Sequence, residues 1–309
     1  MRTKHLVICV ILVLAMSLGA LTGIAAPKFK CGLSLPTMNI FYDPLAKAVV
    51  EAVAKAGGTT IITDAQQYKV AKELANIEDM LQQKIDVLII DASDSVASGP
   101  AINACTKAGV PVIGLNQRVK DTDLVSVVSA DNYMAGRLAA EFVMKQIKYK
   151  GKVAIIDGPP VTAVLDRIKA YKDVIEKYSP GVKLVAQQIM GNTLADATTV
   201  AENMLQANPD LAGFLGMNDF ALLGANIALE NAGKVGKVAI GAVDGSPDAC
   251  ALIASSKATN IATAAQYPAR IGAGAVQAYL DYTAGKVVPT AIQIAPLLIT
   301  KRNAKTFHW

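Results

Sequence analysis

Asn, Asp and Gln residues recur just beyond the ends of short apolar runs, and their types define a hydrogen-bonding chemistry rather than a catalytic one. Asn39, Phe41 and Tyr42 follow a first run. Asp91 and Ser93 follow a third, and Asn116, Gln117 and Arg118 a fourth. Later in the chain Asp157, Asn218 with Asp219, Asp244 and Gln266 stand in equivalent places. Carboxylates accept hydrogen bonds, and amides both donate and accept. The Phe41-Tyr42 pair offers aromatic faces to C–H groups. Together they suit a ligand with many hydroxyls and apolar C–H faces. Each such bond contributes about 1 kcal/mol net, so several together reach micromolar affinity, about −8 kcal/mol. The same residue types also cap helices, which is the competing role for Asn39, Asp91, Asn218 and Asp244. The competing role for Phe41 and Tyr42 is ordinary core.

Reaction machinery is sparse. The two histidines are His5 and His308, one at each end of the chain, so neither is placed as a central base. No GxSxG, HExxH or P-loop motif is present, and the Gly272-Ala273-Gly274 cluster lacks the third glycine of a dinucleotide fingerprint. A carboxylate pair acting on a glycoside is the one enzymatic alternative left. No metal site and no cofactor is expected, and the chain is expected not to be an enzyme.

The elements that must hold these residues are α/β in pattern. Continuous apolar runs predict strands at Lys30–Leu35, Thr59–Thr63, Val87–Ile90, Val112–Leu115 and Ser126–Ser129. A second series is predicted at Val153–Asp157, Leu184–Gln188, Gly213–Leu215, Val238–Ala242 and Ile261–Ala264. Helical spacing fills the intervals, as at Pro44–Ala56, Val70–Gln83, Met134–Ile147 and Thr162–Tyr178. Two doubly wound parallel-sheet lobes of five strands fit the length better than one sheet of ten. Ligands of such sheets bind beyond the carboxyl ends of the strands, where the polar residues fall.

Composition agrees with a well-filled core: 52% of residues are hydrophobic and 18% charged. The formal net charge is +5, two units of which come from Arg2 and Lys4. With no basic run elsewhere, nucleic acid is excluded as a partner. Those two residues precede an apolar run, Leu6–Leu21, and small residues at 23–26, the order of a secretory signal peptide over 1–25 cut before Ala26. A membrane anchor is the alternative for that run. Of four cysteines, Cys9 leaves with the signal. Cys31, Cys105 and Cys250 are expected to be buried thiols, although one pair could bridge in an oxidising compartment.

The chain resembles the type I periplasmic sugar-binding proteins, and among them the ribose-binding group, over essentially the whole mature region. The matching stretches are Asn39-Ile40-Phe41-Tyr42, Ala71-Lys72-Glu73-Leu74-Ala75-Asn76, Asp91-Ala92-Ser93-Asp94-Ser95, Ala108-Gly109-Val110-Pro111-Val112-Ile113, Ser129-Ala130-Asp131-Asn132, Met217-Asn218-Asp219, Val243-Asp244-Gly245-Ser246-Pro247-Asp248 and Ala265-Gln266-Tyr267-Pro268. The resemblance implies a periplasmic monomer that closes on a monosaccharide or polyol, a pentose first, and delivers it to the permease of an ABC transporter. A ligand-sensing receptor for a chemoreceptor or sensor kinase is the alternative.

Carried over residue by residue, the ribose-type site falls on Asn39, Phe41, Tyr42, Arg167, Asn218, Asp244 and Gln266. Four positions depart from the group: Asp91 replaces Asn, Asn116 replaces Asp, Gln117 replaces Arg, and Asn192 falls where an aromatic is usual. Arg118 stands one place along from the group's Arg and is a candidate substitute. The resemblance also implies lobes of 27–130 with 266–294, and 131–265 with 295–309, joined by a three-crossing hinge at Ala130-Asp131, Ala265-Gln266 and Ala295-Pro296.

Overall fold

The structure, a computed structural model, describes residues 29–191, 193–255 and 259–308. The predicted signal peptide and Asn192 lie outside the described residues. No helix among the described residues is long and apolar enough to cross a membrane.

Two α/β lobes are built from two sheets. The chain begins with β1 (Lys30–Leu35), α1 (Tyr42–Lys55), β2 (Thr59–Asp64), α2 (Val70–Gln82), β3 (Val87–Ile90), α3 (Gly99–Lys107), β4 (Val112–Leu115) and β5 (Ser126–Ala130). It continues with α4 (Asn132–Gln146), β6 (Gly151–Asp157), α5 (Thr162–Lys177), β7 (Val182–Ile189), α6 (Leu194–Ala207), β8 (Leu211–Gly216), α7 (Asp219–Asn231), β9 (Ala239–Asp244), α8 (Pro247–Ser255) and β10 (Ile261–Ala265). It ends with α9 (Pro268–Thr283), β11 (Ala291–Ile294) and β12 (Leu297–Ile299). The first sheet has the order β11-β5-β4-β3-β1-β2 and the second β12-β10-β9-β8-β6-β7.

The central strands β3, β4 and β9 are buried along their whole length, as continuous apolar runs covered by helices on both faces require. One apolar cluster forms against α1 and α9 and another beneath α2 and α3, on the first lobe. A single large cluster around Phe214, Tyr171 and Met144 fills the second. Gly272, from the cluster that lacks a dinucleotide fingerprint, has a structural use: a Cβ there would strike the carbonyl of Leu45, so the glycine lets α9 lie against α1.

Two expectations need correction. Each sheet has six strands, because β11 and β12 complete them. β11 is a short edge strand that alternates in exposure, and β12 is a three-residue Leu-Leu-Ile edge strand directly after Pro296, too short to stand out as a strand. Nor is the second sheet wholly parallel, since β12 runs antiparallel to β10. The reason is geometric. β11 points its carboxyl end at the cleft, and only Ala295 and Pro296 separate it from β12, which must therefore run away from the cleft and pair its first residue, Leu297, with the last of β10, Ala265. The three cysteines are buried free thiols, and burial pushes each thiol up to about 12.

Candidate ligand-binding site

The carboxyl ends of the two sheets meet around one cavity. Its first wall comes from loops after β1 to β4. Asn39 Oδ1 accepts from the backbone N–H groups of Phe41 (2.9 Å) and Tyr42 (3.2 Å), which turns the chain into α1. The turn brings the two rings edge to face, 5.2 Å between centroids. Asp91 follows β3 and is 1% exposed. It accepts from Asn116 Nδ2 at 2.5 Å, from Gln117 Nε2 at 2.9 Å and from the Tyr42 hydroxyl. Gln117 Nε2 also donates to the carbonyl of Ala92. Burial pushes the Asp91 carboxyl up to about 7, although all three donors oppose the shift.

The second wall comes from loops after β6, β8, β9 and β10. Arg167, a buried residue of α5, donates through Nε to Asn132 Oδ1 (2.9 Å) and through Nη1 to the carbonyl of Met217 (2.7 Å). Its Nη1 lies 3.7 Å from Asp244 Oδ1. Asp244 ends β9 with φ of 138°, a conformation L-residues rarely adopt, and accepts from Gln266 Nε2 at 2.6 Å. Behind it, Asp219 accepts from the Thr263 hydroxyl (2.5 Å) and the Ser246 N–H (2.6 Å), while its own N–H faces Asp244 Oδ2 at 3.4 Å. Burial raises both carboxyls. The negative charge of Asp244 raises Asp219 further, and Arg167 offsets part of the rise at Asp244.

Capping and cavity lining turn out to be compatible. Asn218 Oδ1 caps α7 by accepting from Ala221 N–H (3.2 Å), yet the residue also lines the cavity. Asp131 does cap α4, through Met134 N–H (2.8 Å).

Ten of the twelve sequence candidates line this cavity: Asn39, Phe41, Tyr42, Asp91, Asn116, Gln117, Arg167, Asn218, Asp244 and Gln266. Asn192 lies outside the described residues. Arg118 departs from its expected place. Gln117 is turned inward and buried, so the next residue faces out: Arg118 is exposed, and its Nη2 donates to the carbonyl of Thr290 (3.1 Å).

The residues that sequence reasoning missed are Tyr68 and an apolar strip of Pro159, Val161, Ala163, Val164 and Met217. Tyr68 follows β2, so the strand-end argument applied to that strand would have found it. Its ring is set by three successive left-handed residues, Gln66, Gln67 and Tyr68, with φ of 53°, 66° and 62°. Its hydroxyl bonds to that of Tyr42, and burial pushes it up to about 12. The apolar strip gives no such signal, because valines and prolines at a helix start are ordinary.

This is a site for recognition: one wall backed by aromatic rings and one by an apolar strip, carboxylates and amides in hydrogen-bonded pairs, one buried guanidinium. Among the described residues no group of histidines, cysteines and carboxylates is arranged to hold a metal ion.

Comparison with known proteins agrees. A family model described as a periplasmic binding protein domain matches residues 31–286. The ribose import binding protein of Bacillus subtilis (strain 168) is 32% identical over 272 residues, covering 87% of this chain and 86% of its own. A periplasmic solute binding protein of an ABC transporter from Actinobacillus succinogenes, solved with bound D-allose, matches with a TM-score of 0.83 at 28% identity, over 91% of this chain and 100% of that one. A solute binding protein from Bacillus halodurans with bound myo-inositol matches with a TM-score of 0.83 at 25% identity, over 92% and 98%. These relatives are solute-binding proteins rather than enzymes. With its two α/β lobes and a family match over most of its length, the chain belongs to the periplasmic binding protein family, in the type I sugar-binding branch.

Proposed function

We propose that this protein captures a small polyhydroxylated molecule between its lobes and presents it to the permease of an ABC importer. The observation that carries the proposal is that side chains of both lobes converge on one cavity, with Asp91 and Asn116 on one side and Arg167, Asn218 and Asp244 on the other. A ligand touching both walls binds the closed arrangement better and shifts the population toward it. The lobes we assign are 27–130 with 266–294, and 131–265 with 295–309. Residues 1–25 are assigned as a signal peptide that sends the chain to the periplasm, where it acts as a monomer and without catalysis.

The similarity to proteins named for ribose, and to others solved with D-allose and myo-inositol, supports a sugar or polyol, with pentoses first. A thermal-shift screen of the protein from Ala26 onward, against pentoses, hexoses, pentitols, inositols and nucleosides, tests this. A ligand at 100 times its dissociation constant adds about 2.7 kcal/mol. The expected result is a hit among sugars or polyols that disappears in Asp244→Ala and Asn218→Ala. A shift from nucleosides alone would overturn the ligand class.

A further inference from the structure

Charge is unevenly spread over the cavity. Among the described residues that line it, Asp91 and Asp244 are acidic and Arg167 alone is basic. Arg167 belongs to the second wall, where its guanidinium reaches Met217, Asn132 and Asp244. Asp91, on the first wall, is met by neutral donors: the Asn116 and Gln117 amides and the Tyr42 hydroxyl. A charged neighbour that influences it, Glu73, is acidic.

The carboxylates also orient the amides. A carboxylate only accepts, so Asn116 and Gln117 must turn their NH2 groups toward Asp91, and Gln266 must turn its own toward Asp244. The three amide oxygens are thereby turned away. Asn116 Oδ1, Gln117 Oε1 and Gln266 Oε1 are all buried with no hydrogen-bond partner among the described residues. Gln117 and Gln266 are 4% and 1% exposed.

We propose that the ligand is a polyhydroxylated molecule bearing a protonated amine, an amino sugar or amino-polyol, with its ammonium group against Asp91, Asn116 and Gln117. The inference rests on the capture function proposed above and narrows its ligand. An ammonium group supplies three donors and a positive charge, whereas a hydroxyl supplies one donor and no charge. Closing the lobes over a neutral sugar leaves Asp91 with no opposite charge, so that it keeps its proton up to about 7. Closing them over an ammonium pairs it.

Calorimetric titration at pH 7 with matched pairs tests the idea: glucosamine with glucose, galactosamine with galactose, and 1-amino-1-deoxyribitol with ribitol. The expected result is a dissociation constant at least tenfold lower for the amine of at least one pair. That preference is expected to collapse in Asp91→Asn and, independently, in Gln117→Arg, which sets a cation beside Asp91; circular dichroism checks that each variant is folded. Binding of the neutral member as tightly or more tightly in every pair overturns the inference and leaves the capture function standing. So does an amine preference that both folded variants retain. Binding of neither member in any pair, together with no hit in the thermal-shift screen, overturns the capture function and this inference with it.

Discussion

The backbone N–H of Thr162, first residue of α5 in the second lobe, donates to the hydroxyl of Ser95 in the first lobe at 3.0 Å. Val161 precedes the helix and has no side-chain oxygen with which to cap it. The cap is therefore supplied across the cleft, to the helix that carries Arg167. Thr162 also accepts, through Oγ1, from the backbone N–H of Arg118 at 3.1 Å. These bonds exist only while the lobes are together, so they stabilise closure without touching the ligand cavity.

Ser95→Ala removes the cap. A helix cap contributes about 1 kcal/mol, so the dissociation constant is expected to rise about fivefold. The rise is expected in the dissociation rate, because encounter occurs in the open form. Thr162→Val, which removes the acceptor for Arg118 and keeps the backbone N–H, is expected to act in the same direction. Stopped-flow binding measures both. Unchanged dissociation rates in both variants would separate this bridge from closure.

Gly136 of α4 lies where a Cβ would come 2.8 Å from the carbonyl oxygen of Arg167 and 2.9 Å from its Cα. Both obstacles are backbone, so Gly136→Ala must push α5 away from α4. Overpacking of this kind costs about 1–3 kcal/mol. Calorimetric melting is expected to show a lower Tm, and ligand affinity is expected to fall as well, because the displaced segment holds Arg167. A lower Tm with full affinity would show that the guanidinium is placed by its own hydrogen bonds rather than by helix spacing.

The empty protein is expected to lose stability as pH rises from about 4 to 7. Asp91 keeps its proton in the folded state up to about 7, whereas the unfolded chain releases it near the ordinary value of 3.8. Between those values the native state binds more protons, so unfolding becomes easier as pH increases. Asp219 and Asp244 are shifted in the same direction and add to the slope. Asp91→Asn cannot ionise. Its Tm is expected to fall less steeply over this range and to exceed that of the unmodified protein at pH 8. Parallel Tm profiles would mean that Asp91 is solvated as an ordinary carboxylate.

Much of the site was legible from polar residues that follow strands, although Ser93 and Asp157 follow strands without lining it. Asp91, Asn116, Asn218, Asp244 and Gln266 could all be placed at one mouth, because βα units put every strand's carboxyl end on the same side of a sheet. Tyr68 follows the same rule, after β2. Arg118 shows the limit of register: one residue separates it from buried Gln117, and that single step turns it from the cavity toward Thr290. β11 escaped because an alternating edge strand carries no continuous apolar run, and β12 because three residues directly after Pro296 are too few to read as a strand.

Periodicity and residue type alone determined the two α/β series, the polar strand ends and the helical position of Arg167, since each depends on neighbours within a few residues. Only the tertiary structure decided which charges meet. That Arg167 sits beside Asp244, that Asp91 faces amides rather than a cation, and that Ser95 caps α5 across the cleft all join residues distant in sequence. Local propensity carries no information about such pairs. They arise when the chain passes from one sheet to the other three times, after β5, after β10 and between β11 and β12, and so brings the carboxyl ends of both sheets together.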